Sequence, residues 1–174
     1  LRTSSELADY IANRHLRSVV TTITAYSPDP GIQSIVIQSG EAQGLQPGLA
    51  VVTEDGIMVA RLERVLTNTS TAVLITDPQS RVLAKVRNDT QSRGIIRGYQ
   101  GLGLQMEFIP KNHKIEAGQA VVTSGLDPKV PPDLVVGTVE KSEARPGELF
   151  QLARIISPVA FNQLNVVAVI LPNL

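Results

Sequence analysis

The chain reads as mainly β, two tandem six-stranded antiparallel β-barrels with a short N-terminal helix. Three observations predict this. The block Gly48-Leu49-Ala50-Val51-Val52-Thr53 returns seventy positions later as Gly118-Gln119-Ala120-Val121-Val122-Thr123, the mark of a duplicated unit. About twelve short strand-forming runs follow one another from Val19 onward, separated by turn residues. Several of them alternate apolar and polar residues with a period of two, as strands do when one face lies on a core and the other meets water.

The first stretch, 1–17, is the one with helical character. Leu7, Tyr10 and Ile11 fall at spacings of three and four, and Ser4 or Ser5 can cap it. So short a helix is marginal alone, and it is read as the end of a longer one. The first barrel is then assigned to 18–91. It opens with a hairpin, Val19–Ala25 and Ile32–Gln38, turned by Ser27-Pro28-Asp29-Pro30-Gly31. Leu49–Thr53 and Ile57–Val65 follow, joined across Asp55-Gly56, a strong short-hairpin signal. Thr71–Thr76 and Val82–Asn88 complete the set, the latter alternating Val82, Ala84, Val86 with Leu83, Lys85, Arg87.

The second barrel is assigned to 92–174 and repeats the order. A hairpin, Gly94–Arg97 and Leu102–Ile109, precedes the repeated block, with Leu102, Leu104, Met106 and Phe108 predicted on one dry face. Gln119–Thr123 is the block itself. Leu134–Lys141 carries Gly137 where the first repeat has Ala60. Leu149–Ile156 and Asn165–Leu171 end the chain's strands, as Ile155-Ile156-Ser157-Pro158 mirrors Leu74-Ile75-Thr76-Asp77-Pro78. Gly48 and Gly118 are expected at equivalent turns. Six strands that close on themselves remove the exposed edges of a flat sheet. One segment has no counterpart in the first repeat: Leu126-Asp127-Pro128-Lys129-Val130-Pro131-Pro132. A proline-rich loop is stiff and displays apolar surface at low entropic cost. It reads either as a barrel-closing connection or as an exposed partner-binding loop, and for the latter Leu126, Lys129, Val130, Pro131 and Pro132 are the contact residues.

Composition narrows the function. Sixteen cations balance sixteen anions, and aromatic residues are 3% of the chain, which argues against a nucleic-acid partner. With no cysteine there is no disulfide framework and no thiolate zinc site. No apolar run is long enough to span a bilayer as a helix, and a chain that opens at Leu1 is read as part of a longer protein. Paired barrels invite a test for a serine-protease triad. His15 falls in the N-terminal helix and His113 in a charged turn, and no serine occupies a nucleophile loop, so no catalytic residue is assigned. Neither histidine has carboxylates at ligand spacing, so no metal site is assigned, and Gly98, Gly101 and Gly103 read as a hairpin turn rather than a phosphate cradle, so no cofactor is assigned. Lys85, Arg87, Arg93 and Arg97 form a basic cluster, read as a solvated strand face or a seat for an anionic partner.

The ordered set of motifs resembles the MreC family of bacterial rod-shape-determining proteins. Ser39-Gly40-Glu41-Ala42-Gln43-Gly44-Leu45-Gln46-Pro47-Gly48 with Ala50-Val51-Val52-Thr53 carries the first part of the likeness. Asn68-Thr69-Ser70 leading to Leu74-Ile75-Thr76-Asp77-Pro78-Gln79-Ser80-Arg81-Val82 carries the second, and Arg93-Gly94-Ile95-Ile96-Arg97-Gly98 the third. Gly118 to Gly125, Pro131 and Leu134-Val135-Val136-Gly137-Thr138-Val139 carry the fourth. The chain departs from the pattern at Ala60 and Asp133, where glycine is usual, and in the insertion loop.

The resemblance implies a non-enzymatic scaffold of the cell-elongation complex. It implies a transmembrane helix upstream, a coiled coil ending at 1–17, and barrels on the extracytoplasmic face of the inner membrane. The implied partners are a class B penicillin-binding transpeptidase, which the scaffold activates, MreD, and an MreB-containing complex, with a homodimer or higher self-assembly. A second reading is a periplasmic adaptor subunit of an efflux or secretion assembly, which predicts a further helix-forming segment after the barrels.

Overall fold

The computed structural model describes residues 16–29, 31–99 and 103–172. The helix expected over 1–17 lies outside them except at its last two positions, and Arg17 already opens a strand. The strands are β1 (Arg17–Tyr26), β2 (Ser34–Ile37), β3 (Ala50–Val52), β4 (Met58–Val65), β5 (Ser70–Leu74) and β6 (Arg81–Val86). They continue as β7 (Arg93–Gly98), β8 (Leu104–Pro110), β9 (Ala120–Thr123), β10 (Val135–Ala144), β11 (Phe150–Ile156) and β12 (Val166–Leu171).

Two closed six-stranded barrels result, with every neighbouring pair antiparallel. The first runs β1-β12-β3-β4-β5-β2 and the second β10-β11-β8-β7-β6-β9. The division at residue 91 is therefore corrected: β6 belongs to the second barrel and β12 returns to the first. The second barrel is a continuous segment inserted between β5 and β12. Replacing β12, β1, β2, β3, β4 and β5 by β6 through β11 in order converts one barrel's cyclic order into the other's. The repeat is real, and the last strand of each repeat closes its neighbour's barrel.

Local geometry repeats with the topology. Gly48 and Gly118 both have positive φ (94° and 89°), where a side chain is disfavoured. Their N–H groups donate to Leu62 and Val139 at 2.7 and 2.8 Å. Thr53 and Thr123 N–H donate to Ile57 and Leu134 carbonyls at 2.9 and 2.8 Å, and their hydroxyls accept from the same two residues' N–H groups. Bulges also recur in pairs: one beside Ala60 and Gly137, another between Leu62 and Arg64 and between Val139 and Lys141.

The core explains why β12 is an unbroken apolar run. Val167, Val169 and Leu171 fill the first barrel with Ile35, Ile37, Val51 and Leu62. Ala168 and Ile170 face the other way, into a cluster shared with Val82, Met106, Val121 and Val136 of the second barrel. A strand buried on both faces hides its alternation. Tyr26 secures the return of the chain by donating its hydroxyl to the Leu164 carbonyl at 2.8 Å, and burial raises the pKa of this phenol. A parallel bridge between Ile57 and Val135 joins the barrels directly.

One alternation prediction is corrected. Met106 and Ile109 point into the second barrel, while Phe108 is 56% exposed at φ +63°. A bulge opposite β11 shifts the period by one residue there. Val82, Ala84 and Val86 alternate inward as expected.

Candidate interaction surfaces

The insertion loop divides between the two readings. Val130 is only 4% exposed and sits in the core, so its assignment as an exposed contact is corrected. Its burial follows from the barrel end, where Thr123 Oγ1 donates to the Pro131 carbonyl at 2.7 Å and pulls the loop inward. Lys129 lies over the first barrel, its Nζ donating to the Pro47 carbonyl at 2.9 Å. Asp127 meets Arg61 of β4 at 2.8 Å, and the same guanidinium donates to the Gly48 carbonyl at 3.1 and 3.2 Å. The loop thus latches one barrel to the other. Pro131 and Pro132 are half-buried and line a cavity of about 270 Å³ with Leu16 and Pro172. Leu126 remains exposed.

The basic cluster is largely neutralised within the fold. Lys85 and Arg87 reach Asp133 at 3.4 and 3.7 Å, and Arg97 reaches Glu107 at 3.6 Å. Lys85 and Arg93 stand opposite one another across β6 and β7.

A serine does meet a histidine, though in an arrangement suited to holding loops. His113 Nδ1 lies 3.0 Å from Ser92 Oγ, and Ser92 is fully buried. The other partners of Ser92 are Thr90, at 2.6 Å, and Asn88, neither of which is a carboxylate able to orient a base. The contact ties the β6–β7 turn to the turn after β8. His15 lies outside the described residues. Among the described residues no three His, Cys, Asp or Glu side chains cluster as a metal site would require, and no helix is long and apolar enough to cross a membrane.

Two further surfaces were not assigned from the sequence. The first is a cleft of about 610 Å³ at the junction of the barrels. Its walls carry Tyr99, Leu104, Ile156, Val159 and Phe161, with Glu140 and Arg154 as charged members. Thr76 also lines it, and its hydroxyl is buried with no hydrogen-bond partner among the described residues. The second is a knob at the far end of β11. Leu149 is 81% exposed and Phe150 45%, and Phe150 packs edge-on against Phe108 with ring centroids 5.6 Å apart. The positive φ of Phe108 is a strained state for an aromatic residue, and it turns the ring outward. The only sequence signal for the knob is a Pro146-Gly147 turn followed at once by Leu149-Phe150.

Comparison with known proteins places this geometry. The family model described as "Rod shape-determining protein MreC, barrel core" matches residues 23–171. The cell shape-determining protein MreC of Listeria monocytogenes is 31% identical over 174 residues, covering 98% of this chain and 58% of the relative. The chain thus spans less than two thirds of that relative's length. A solved MreC structure from the same organism superposes with a TM-score of 0.85 at 27% identity, covering 99% of this chain and 90% of the other. A chain of the structure described as a complex between penicillin-binding protein and MreC from Helicobacter pylori has a TM-score of 0.72 at 18% identity, a likeness of fold. That match covers 91% of this chain and 99% of the other.

Proposed function

We propose that this chain, which belongs to the MreC family of rod shape-determining proteins, is a non-catalytic scaffold that binds and activates peptidoglycan-synthesis enzymes of the cell-elongation complex. The observation that carries the reading is the family match over 23–171, a span that contains the second barrel, the latch, the knob and all of the first barrel but the opening of β1. A rigid body suits the role. Closure of the barrels pairs most strand edges, and the outer part of β10, beyond its pairing with β9, is the stretch a partner strand could join, so partners are engaged chiefly through side-chain surfaces.

The direct partner in this reading is a class B penicillin-binding transpeptidase, supported by the Helicobacter pylori relative seen with a penicillin-binding protein. MreD and an MreB-containing complex are indirect or membrane-level partners, and the chain self-associates. The barrels work on the extracytoplasmic face of the inner membrane, anchored through a segment upstream of Leu1. The proline loop contributes to partner contact through Leu126 and the half-buried Pro131 and Pro132. Activation follows if the scaffold binds the active enzyme conformer more tightly than the inactive one, by about 1–3 kcal/mol for typical coupling.

The test is binding of this chain to the transpeptidase ectodomain by interferometry, with glycan-strand crosslinking measured in parallel. Saturable binding with increased crosslinking is expected. Binding without any change in crosslinking would remove the activating role, and no binding at about 0.1 mM would remove the partner.

A further inference from the structure

We propose that the cleft at the junction of the barrels binds a neutral oligosaccharide of N-acetylated amino sugars. The inference goes beyond the reading above, in which every partner is a protein. The cleft's volume of about 610 Å³ lies within the roughly 300–1,000 Å³ of small-ligand sites. Its lining is two-sided. Gln105, Glu140, Arg154 and Asn162 supply polar groups, and Tyr99, Ile156, Val159 and Phe161 supply apolar surface.

The strands place the polar groups. Gln105 of β8 stands opposite Arg154 of β11, and Glu140 falls at the bulge of β10 between Val139 and Lys141, a device that re-aims a side chain. Among the described residues neither Glu140 nor Arg154 has an ion-pair partner, and neither has any other unprinted contact. Thr76, 2% exposed, adds a hydroxyl with no hydrogen-bond partner among the described residues. A buried hydroxyl left unpaired is costly, and a hydroxyl-rich ligand supplies the partner.

Chemistry selects the occupant. One carboxylate and one guanidinium in the same cleft favour neither an anion nor a cation. A purely apolar ligand would leave both, and the two side-chain amides, without partners. Vicinal sugar hydroxyls donate to a carboxylate and accept from a guanidinium in pairs. The C–H face of a pyranose ring lies against an aromatic ring. The chain has only three tyrosines and three phenylalanines, and one of each lines this cleft. An acetamido group adds a methyl for Ile156 and Val159 and an amide for Asn162. A plain glucan leaves that apolar strip uncovered, so the two-sided lining points to the N-acetylated class.

Amide-resolved NMR titration of the 174-residue chain tests this. The probe is tetra-N-acetylchitotetraose, and cellotetraose, its counterpart without acetamido groups, is the comparison. Saturable shifts centred on Tyr99, Gln105 and residues 154–162 are expected, with a Kd of about 1 mM or tighter and binding of cellotetraose about tenfold weaker. Tyr99→Ala and Arg154→Ala, both at exposed positions, are each expected to weaken binding about fivefold or more, while Leu149→Glu, outside the cleft, leaves it unchanged. The same spectra show whether each variant is folded. No shift at about 10 mM sugar overturns the proposal, as do shifts that ignore both cleft variants. Equal response to the two sugars overturns the assignment to N-acetylated sugars. None of these results bears on transpeptidase binding, which is read with the enzyme itself.

Discussion

The β4–β5 hairpin of the first barrel and the β10–β11 hairpin of the second occupy the same place in the same topology, yet they end differently. In the first, pairing runs out at Val65 and Ser70, and residues 66–69 turn the chain. In the second, pairing continues to Ala144 and Gln151, and β8 lengthens alongside to pair Pro110 with Phe150. Closure does not need the extra length, since the first barrel closes without it. The extension carries Leu149, Phe150 and, on β8, the strained Phe108. What duplication kept alike is the machinery of closure, namely the glycine turns, the threonine hydrogen bonds and the paired bulges. What diverged is surface, and on the second barrel the divergence lies in its longer hairpin and in the loop that latches it to its neighbour.

The largest test of this comparison concerns continuity. The second barrel is built from one uninterrupted stretch, whereas the first depends on β12 arriving from the far end of the chain. Ending the chain before Val166 removes a strand buried on both faces and exposes unpaired edges on β1 and β3. Hydrogen exchange of that truncation is expected to show β1–β5 amides losing protection while β6–β11 amides keep theirs. Uniform loss across both barrels would mean that the second cannot stand without the first.

A smaller effect separates two equivalent positions. Gly137 and Ala60 face the same bulge, but at Gly137 a Cβ would run into the Ile156 carbonyl oxygen, while the first barrel accommodates the Ala60 methyl. Gly137→Ala is expected to cost about 3 kcal/mol through overpacking against backbone. The reciprocal Ala60→Gly is expected to cost about 1 kcal/mol. Urea unfolding of both variants checks the asymmetry, and equal costs would show that the two strand crossings are equally close.

The same contrast explains what was legible in the sequence. The repeat was visible because its markers are local: Gly48 and Gly118 need positive φ wherever the chain ends up. The exchange of final strands was not, because Val82-Ala84-Val86 and Val167-Val169-Leu171 carry no label saying which barrel they close. That choice is a long-range pairing. Phe108 was assigned inward because alternation assumes an unbroken register, and one bulge inverted it. Val130 was assigned outward because a proline-rich run looks like surface, and its burial is decided by a threonine seven residues earlier. The knob was missed because Leu149-Phe150 is an ordinary start for a strand. Only the comparison of hairpin lengths shows it to be surplus.

The smallest effect tests whether the latch sets the relation between the barrels or merely accompanies it. Arg61 and Asp127 are each about one quarter exposed (26% and 24%), so solvent screening limits their coupling to about 0.5–1 kcal/mol. A double-mutant cycle with Arg61→Ala and Asp127→Ala measures it. Because the chain has no cysteine, introduced pairs take spin labels without background. With one label on β2 and one on β8, the distance distribution is expected to be narrow in the parent and broader in the double variant, since the pair restrains the loop at the seam. The shared core of Ala168 and Ile170 against the second barrel opposes any gross separation. A distribution unchanged by the double variant would assign the barrel orientation to that apolar seam and leave the loop's polar contacts as followers of a geometry set elsewhere.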